Sequence, residues 1–195
     1  APYGSVFVVF RDKAEDLPMA ERYPLSGDVR QLTGPWEVRF PQGWGAPPSK
    51  TFNRLVSWTD VEDEGVKYFS GVASYHNTFD VSADQLTPSK RIVLDLGEVR
   101  FVAEVYVNGQ SLGTLWKPPF QIEITDAIRA GTNQLVVEVA NTWSNRLVGD
   151  AQLPEAQKFC RTNIDRSLTW QIPWKDTPLL DSGLLGPVRL IEWSE

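Results

Sequence analysis

Cysteine, histidine and methionine each occur once in 195 residues, and the first two scarcities remove whole classes of chemistry. A single thiol, Cys160, cannot form an internal disulfide, so the chain relies on its own core and the redox compartment is unreadable. We read that thiol as a small buried side chain, not a reactive group. One histidine, His76, far in sequence from the one cysteine has none of the ligand spacing of a zinc site. Glycine-rich phosphate loops are missing, and no apolar run approaches membrane-spanning length. Basic residues are also short: 19 Lys and Arg stand against 25 Asp and Glu, a net charge of −6. Without a basic stripe, binding to nucleic acid through phosphate neutralisation is excluded. The opening Ala1-Pro2-Tyr3-Gly4 lacks the charged and apolar regions of a signal peptide. An apolar run follows at once over residues 5–10, as a strand entered mid-protein does, so the sequence is expected to be a section of a longer polypeptide.

What is present is apolar and aromatic. With 42% hydrophobic and 11% aromatic residues, among them eight tryptophans, the chain has the means to bury a core without staples. Indoles serve cores, but their flat apolar faces also suit sugar rings and protein interfaces.

Period-two patterns dominate from residue 72 onward. Tyr75, Phe79 and Val81 share one face of a strand, Ile92, Leu94 and Leu96 of the next, and Ala103, Val105 and Val107 of a third. Asn108-Gly109 then supplies the two positive-φ residues of a type I′ hairpin turn. Further strands follow over residues 111–116, 120–124, 134–139 and 187–193, and an earlier one over 36–40. Residues 125–128 allow at most one helical turn. Residues 43–49 and 60–65 read as loops, and 141–186 as a long aperiodic segment of the kind that carries function. Short strands, regular turns and no long amphipathic helix predict an all-β fold, an antiparallel jelly-roll β-sandwich over 31–195 preceded by an N-terminal arm over 1–30.

The stretch from Tyr75 to Asn141 resembles the sugar-binding domain of glycoside hydrolase family 2. The shared residues are Tyr75-His76-Asn77-Thr78-Phe79-Asp80-Val81, Ala103-Glu104-Val105-Tyr106-Val107-Asn108-Gly109, Leu112-Gly113, the run from Pro119-Phe120 to Ile124-Thr125-Asp126, and Gly131-Thr132-Asn133-Gln134-Leu135. A second likeness covers nearly the whole chain. Residues 5–10, Leu115-Trp116-Lys117-Pro118-Pro119-Phe120, the run from Asn141-Thr142-Trp143 to Asp150, and Ser182-Gly183-Leu184-Leu185-Gly186-Pro187-Val188 are similar to the C-terminal region of family 106 α-L-rhamnosidases. These resemblances imply a galactose-binding-like jelly roll, attached to a catalytic domain of the same polypeptide that carries the catalytic carboxylates. They also imply carbohydrate as partner and a periplasmic or extracellular location. In family 2 the asparagine of the Val-Asn-Gly turn reaches the adjoining sugar pocket, which makes Asn108 a candidate, although the turn alone explains an asparagine there.

The residues themselves predict no catalytic centre and no metal site. Glycoside hydrolysis needs two carboxylates roughly 5–10 Å apart across a cleft. Glu62-Asp63-Glu64 reads as a solvated charge run, and Asp80, Asp95, Glu104 and Glu138 fall on strand faces opposite the apolar ones. His76 sits on such a face and reads as a surface or interface residue. No cofactor is expected; the fold class admits a structural calcium, but no acidic loop motif indicates one.

The binding candidates follow strand ends. Asn141, Trp143, Asn145, Arg146 and Asp150 combine carboxamides, an indole, a guanidinium and a carboxylate, the mix that recognises sugar hydroxyls and the C–H face of a ring. Arg146 and Asp150 are equally able to pair with each other and pin the loop. Trp116 and Lys117, before a double proline, form either an exposed platform or a packed corner. The expected function is a non-catalytic carbohydrate-binding or accessory domain that packs on, and helps complete, the substrate pocket of a glycosidase. A structural spacer in which Trp116, Trp143, Trp170 and Trp174 bury themselves between domains is the first alternative, and an independent hydrolase the second.

Overall fold

The computed structural model describes residues 27–164, 166 and 172–194. The run at residues 5–10 and Trp170 lie outside the described residues. Twelve strands are described: β1 (Asp28–Gln31), β2 (Trp36–Arg39), β3 (Ser49–Phe52), β4 (Val72–Val81), β5 (Lys90–Asp95), β6 (Glu98–Arg100), β7 (Val102–Val107), β8 (Gln110–Leu115), β9 (Gln121–Glu123), β10 (Gly131–Ala140), β11 (Gly183–Gly186) and β12 (Arg189–Ser194). Two short helices join them, α1 (Glu64–Lys67) and α2 (Ser144–Asp150). None of these helices is long and apolar enough to cross a membrane.

The strands form the antiparallel β-sandwich that the alternation predicts. One sheet has the order β3-β2-β4-β10-β7-β8, the other β1-β12-β5-β9, and β11 pairs with β6 in a small third sheet. β1, three of whose four residues fall in the segment assigned to the arm, is hydrogen-bonded to β12. The two large sheets enclose the core. Tyr75, Val105, Val107, Leu135 and Val137 are fully buried from one side and Leu94 and Leu96 from the other, with Trp36 and Ile92 nearly so. Asn108 and Gly109 take φ of 52° and 82°, as a type I′ turn requires.

The core extends past the sheets where loops were expected. Trp58, Val66 and Phe69 are wholly buried around residues 60–65, in a segment that forms a 3-10 turn and α1. Trp58 stacks on Tyr75 at 6.4 Å and donates from Nε1 to the Tyr75 hydroxyl at 2.6 Å. That hydroxyl also accepts the Leu184 N–H at 3.0 Å. Gly183 closes the knot: with φ of 97°, a Cβ there would lie 2.4 Å from the Tyr75 oxygen, so only glycine fits. Residues 141–186 are therefore not one loop, since they contain α2 and β11.

Candidate functional site at the loop end of the sandwich

β10 delivers the chain from one end of the six-stranded sheet to the other. Asn108 lies at the first end, where its backbone N–H meets Gln134 O at 2.9 Å. The Asn141 segment begins at the second, about 20 Å away by the rise of a strand. Trp116 and Lys117 belong to this second end, because β8 stops at Leu115 opposite Ala103, itself opposite Val139. Seven of the eight candidate residues thus gather at one end, and Asn108 does not.

The polar members of that group are largely engaged within the protein. Asn141 accepts the Gly71 N–H at 2.9 Å and donates to Phe69 O at 2.9 Å and Ser182 Oγ at 3.1 Å. Asn145, 1% exposed, brackets the Leu180 backbone, donating to its carbonyl at 2.7 Å and accepting its N–H at 2.9 Å. It also donates to Ser182 Oγ at 2.9 Å. Arg146 and Asp150 are buried on the same helix, with Nε 3.0 Å from Oδ1, yet neither of these two atoms makes a hydrogen bond. Asp150 Oδ2 instead accepts the Cys160 N–H at 2.8 Å. Cys160 is only partly buried, not enclosed as expected, yet its desolvation, with Asp150 beside it, raises the thiol to about 11, which disfavours the reactive thiolate.

The indoles behave differently. Trp143 is 54% and Trp116 56% exposed. Trp143 meets Trp44 edge-on at 5.4 Å, and the Lys117 ammonium lies 5.7 Å from the Trp116 ring. Trp44 stands in the 43–49 loop, where no periodicity marks it; the hairpin joining β2 to β3 carries it to this end. At the opposite end Asn108 donates to Ala127 O and Asn133 Oδ1, both at 2.8 Å, and accepts the Gln134 N–H at 3.0 Å.

The outer face of the six-stranded sheet carries an open groove of about 610 Å³ bordered by Glu37, Arg39, Thr51, His76 and Gln134. Arg39 pairs with Glu37 through two bonds of 2.9 Å, and His76 Nε2 lies 2.9 Å from Ser74 Oγ. Burial foremost, and Arg39, hold the imidazole below its usual range. Glu104 and Glu138 are cross-strand partners in the ladder. Among the described residues no cluster of three or more His, Cys, Asp or Glu is arranged to hold a metal.

Residues 58–183 match the family described as glycosyl hydrolase 2 galactose-binding domain-like. The chain belongs to this family. The galactose-binding-like sandwich is thus its family fold, as the resemblance implied. A rhamnosidase from Novosphingobium sp. PP1Y superposes with a TM-score of 0.74 and is 41% identical over 90% of this chain, which covers 16% of that protein. A Formosa agariphila protein named as a β-glucuronidase is 42% identical over 82% of the chain. The β-glucuronidase of Ruminococcus gnavus, at 23% identity and a TM-score of 0.51 over 64% of the chain, shares the fold. The chain spans about 15% of the length of the curated relative.

Proposed function

We propose that this chain is the non-catalytic, sugar-binding-like module of a larger glycoside hydrolase of the α-L-rhamnosidase kind, working without a cofactor in the periplasm or outside the cell. The observation that carries the reading is 41% identity to the Novosphingobium rhamnosidase along 90% of this chain, on only 16% of that protein's length. Such coverage is what an accessory module gives, with the hydrolytic carboxylates elsewhere in the polypeptide. The exposed indoles of Trp143 and Trp116 support a role for the loop end as the face that meets the catalytic domain or its glycan. Because Asn141, Asn145 and Asp150 are bound internally, the same observations favour, as a second reading, an interdomain contact made by the indoles alone.

The isolated chain is expected to show no turnover of rhamnosides, galactosides or glucuronides. Trp143→Ala placed in the full polypeptide is expected to lower activity about tenfold while the module's melting temperature shifts little, since a half-exposed side chain contributes less to stability than a core one. Turnover by the isolated chain that vanishes in Glu104→Gln or Glu138→Gln would replace this reading with that of an independent hydrolase.

A further inference from the structure

The loop end holds a small cavity that the indoles do not line. Its volume is about 200 Å³, and Glu64, Tyr68, Arg146, Gln152 and Phe159 contribute to its wall. Drug-sized ligands occupy roughly 300–1,000 Å³, so this space suits one sugar ring, not a chain.

Arg146 sets the character of the pocket. Its residue is 3% exposed, its backbone N–H is tied to Ser70 Oγ at 3.0 Å, and its guanidinium carbon lies 4.6 Å from the centre of the Phe159 ring. Asp150 is its ion-pair partner among the described residues, and Arg146 Nε remains without a hydrogen bond. A buried guanidinium held to its carboxylate by charge alone, with its Nε making no hydrogen bond, is an unfavourable arrangement in an empty protein and a useful one in a binding site. Gly149 makes room for it: a Cβ there would stand 2.4 Å from Arg146 Nη2 and 2.7 Å from the Tyr68 side chain. Phe159, 40% exposed, leans on Gly45, where a Cβ would come within 3.0 Å of the ring.

The other wall groups complement these donors. Gln152 Nε2 donates to the Tyr68 hydroxyl at 3.2 Å, which leaves the phenol proton and the Gln152 carbonyl to face a ligand. Glu64, exposed at the rim, adds an acceptor. Asp150 offsets the charge of Arg146, and the Lys67 ammonium, 5.8 Å from the centre of the Tyr68 ring, offsets Glu64, so no cation is left over to compensate the desolvation of an acidic ligand. Donors, acceptors and one aromatic ring around an uncharged space of this size match a pyranose.

We infer that this pocket binds one neutral pyranose, a hexose or 6-deoxyhexose, with Arg146 donating to its hydroxyls and Phe159 covering its C–H side. The inference rests on the carbohydrate-module reading above for the ligand class alone.

The test is a titration of the 195-residue chain, followed by backbone amide NMR, with L-rhamnose, D-galactose and D-glucuronate. Neutral sugars are expected to give saturable shifts around the pocket with a Kd of about 1–10 mM, equivalent to roughly −3 to −4 kcal/mol, and glucuronate to bind at least about tenfold more weakly. Phe159→Ala, Gln152→Ala and Glu64→Gln, all at exposed positions, are each expected to weaken binding several-fold with the melting temperature nearly unchanged. The assignment is overturned if neutral sugars cause no saturable shift, if those shifts survive in all three variants, or if glucuronate binds as well as rhamnose. A pocket that stays empty leaves the module reading standing, because that reading falls only with turnover by the isolated chain.

Discussion

At the turn end of the sandwich Asn108 reaches a partner 26 residues away, and Asn133 binds backbone groups within 4 residues. At the loop end Asn141 and Asn145 reach across 70 and 35 residues. The same side chain therefore does two jobs. At one end it joins neighbouring turns of one sheet, tying the Asn108 turn to the start of β10; at the other it fastens three separated segments, around Phe69, Trp143 and Leu180, to the end of the sheet. A carboxamide suits both because it offers donor and acceptor together to an otherwise unpaired backbone. A segment rich in Asn, Arg and Asp after a strand looks the same in sequence whether it binds a sugar or staples a fold, and here most of its polar atoms staple.

The comparison is tested most severely by removing the long-range tie. Asn145→Ala would leave the Leu180 N–H without its partner and remove two further bonds, while the Leu180 carbonyl keeps the Ser182 hydroxyl at 2.9 Å, at an expected loss of about 2 kcal/mol in chemical denaturation. Because Asn141 and Asn145 share Ser182 Oγ, their double substitution should cost less than the sum. Asn133→Ala with Asn145→Ala, one near the start of β10 and the other on α2 beyond its far end, share no partner and should add within about 0.5 kcal/mol. Additivity of the first pair would show that the loop end is not a single tie. A smaller effect separates turn geometry from hydrogen bonding at the near end. Asn108→Gly keeps the positive φ but loses three bonds, and about 1 kcal/mol of destabilisation is expected; an unchanged denaturation midpoint would mean that the turn alone selects asparagine.

The least effect is expected from the outer face, where neither tie is involved. His76 is held below its ordinary range by burial and Arg39, so the unfolded chain takes up this proton at higher pH than the folded one. Its contribution to stability is complete above the ordinary imidazole value near 6.5 and is lost as pH falls through the folded value. The melting temperature of His76→Gln should therefore decline slightly less than that of the parent on going from about pH 7 to pH 5. Parallel curves would show that Arg39, Glu37 and Glu138 compensate one another around the ring.

The legible parts of this fold are those whose causes are local. The strands β4, β5, β7, β8, β10 and β12 announce themselves by alternation, and Asn108-Gly109 by its turn chemistry. The strands β6 and β11 have three and four residues, too few for a period to show, and β11 begins and ends in glycine. The helix α2 was hidden for another reason: its buried residues are Asn145, Arg146, Val148, Gly149 and Asp150, so no apolar stripe marks it. The same polar residues suggested a recognition loop, and sequence gave no means of telling that Arg146 faces a cavity while Asn145 grips a backbone. Trp44, Tyr68, Gln152 and Phe159 were out of reach because only the fold brings their loops together.

The bond from the Ser182 N–H to Ser57 Oγ spans 125 residues, and β1 meets β12 through the Asp28–Glu192 pairing. Closure of such wide loops precedes the contacts that reward it, which makes folding slow, on a scale of milliseconds to seconds. The loop end therefore forms late. On a ribosome, its staples cannot close until Leu180 and Ser182 have emerged, so the surface that meets neighbouring domains is fastened only after the chain has passed through every strand of the six-stranded sheet.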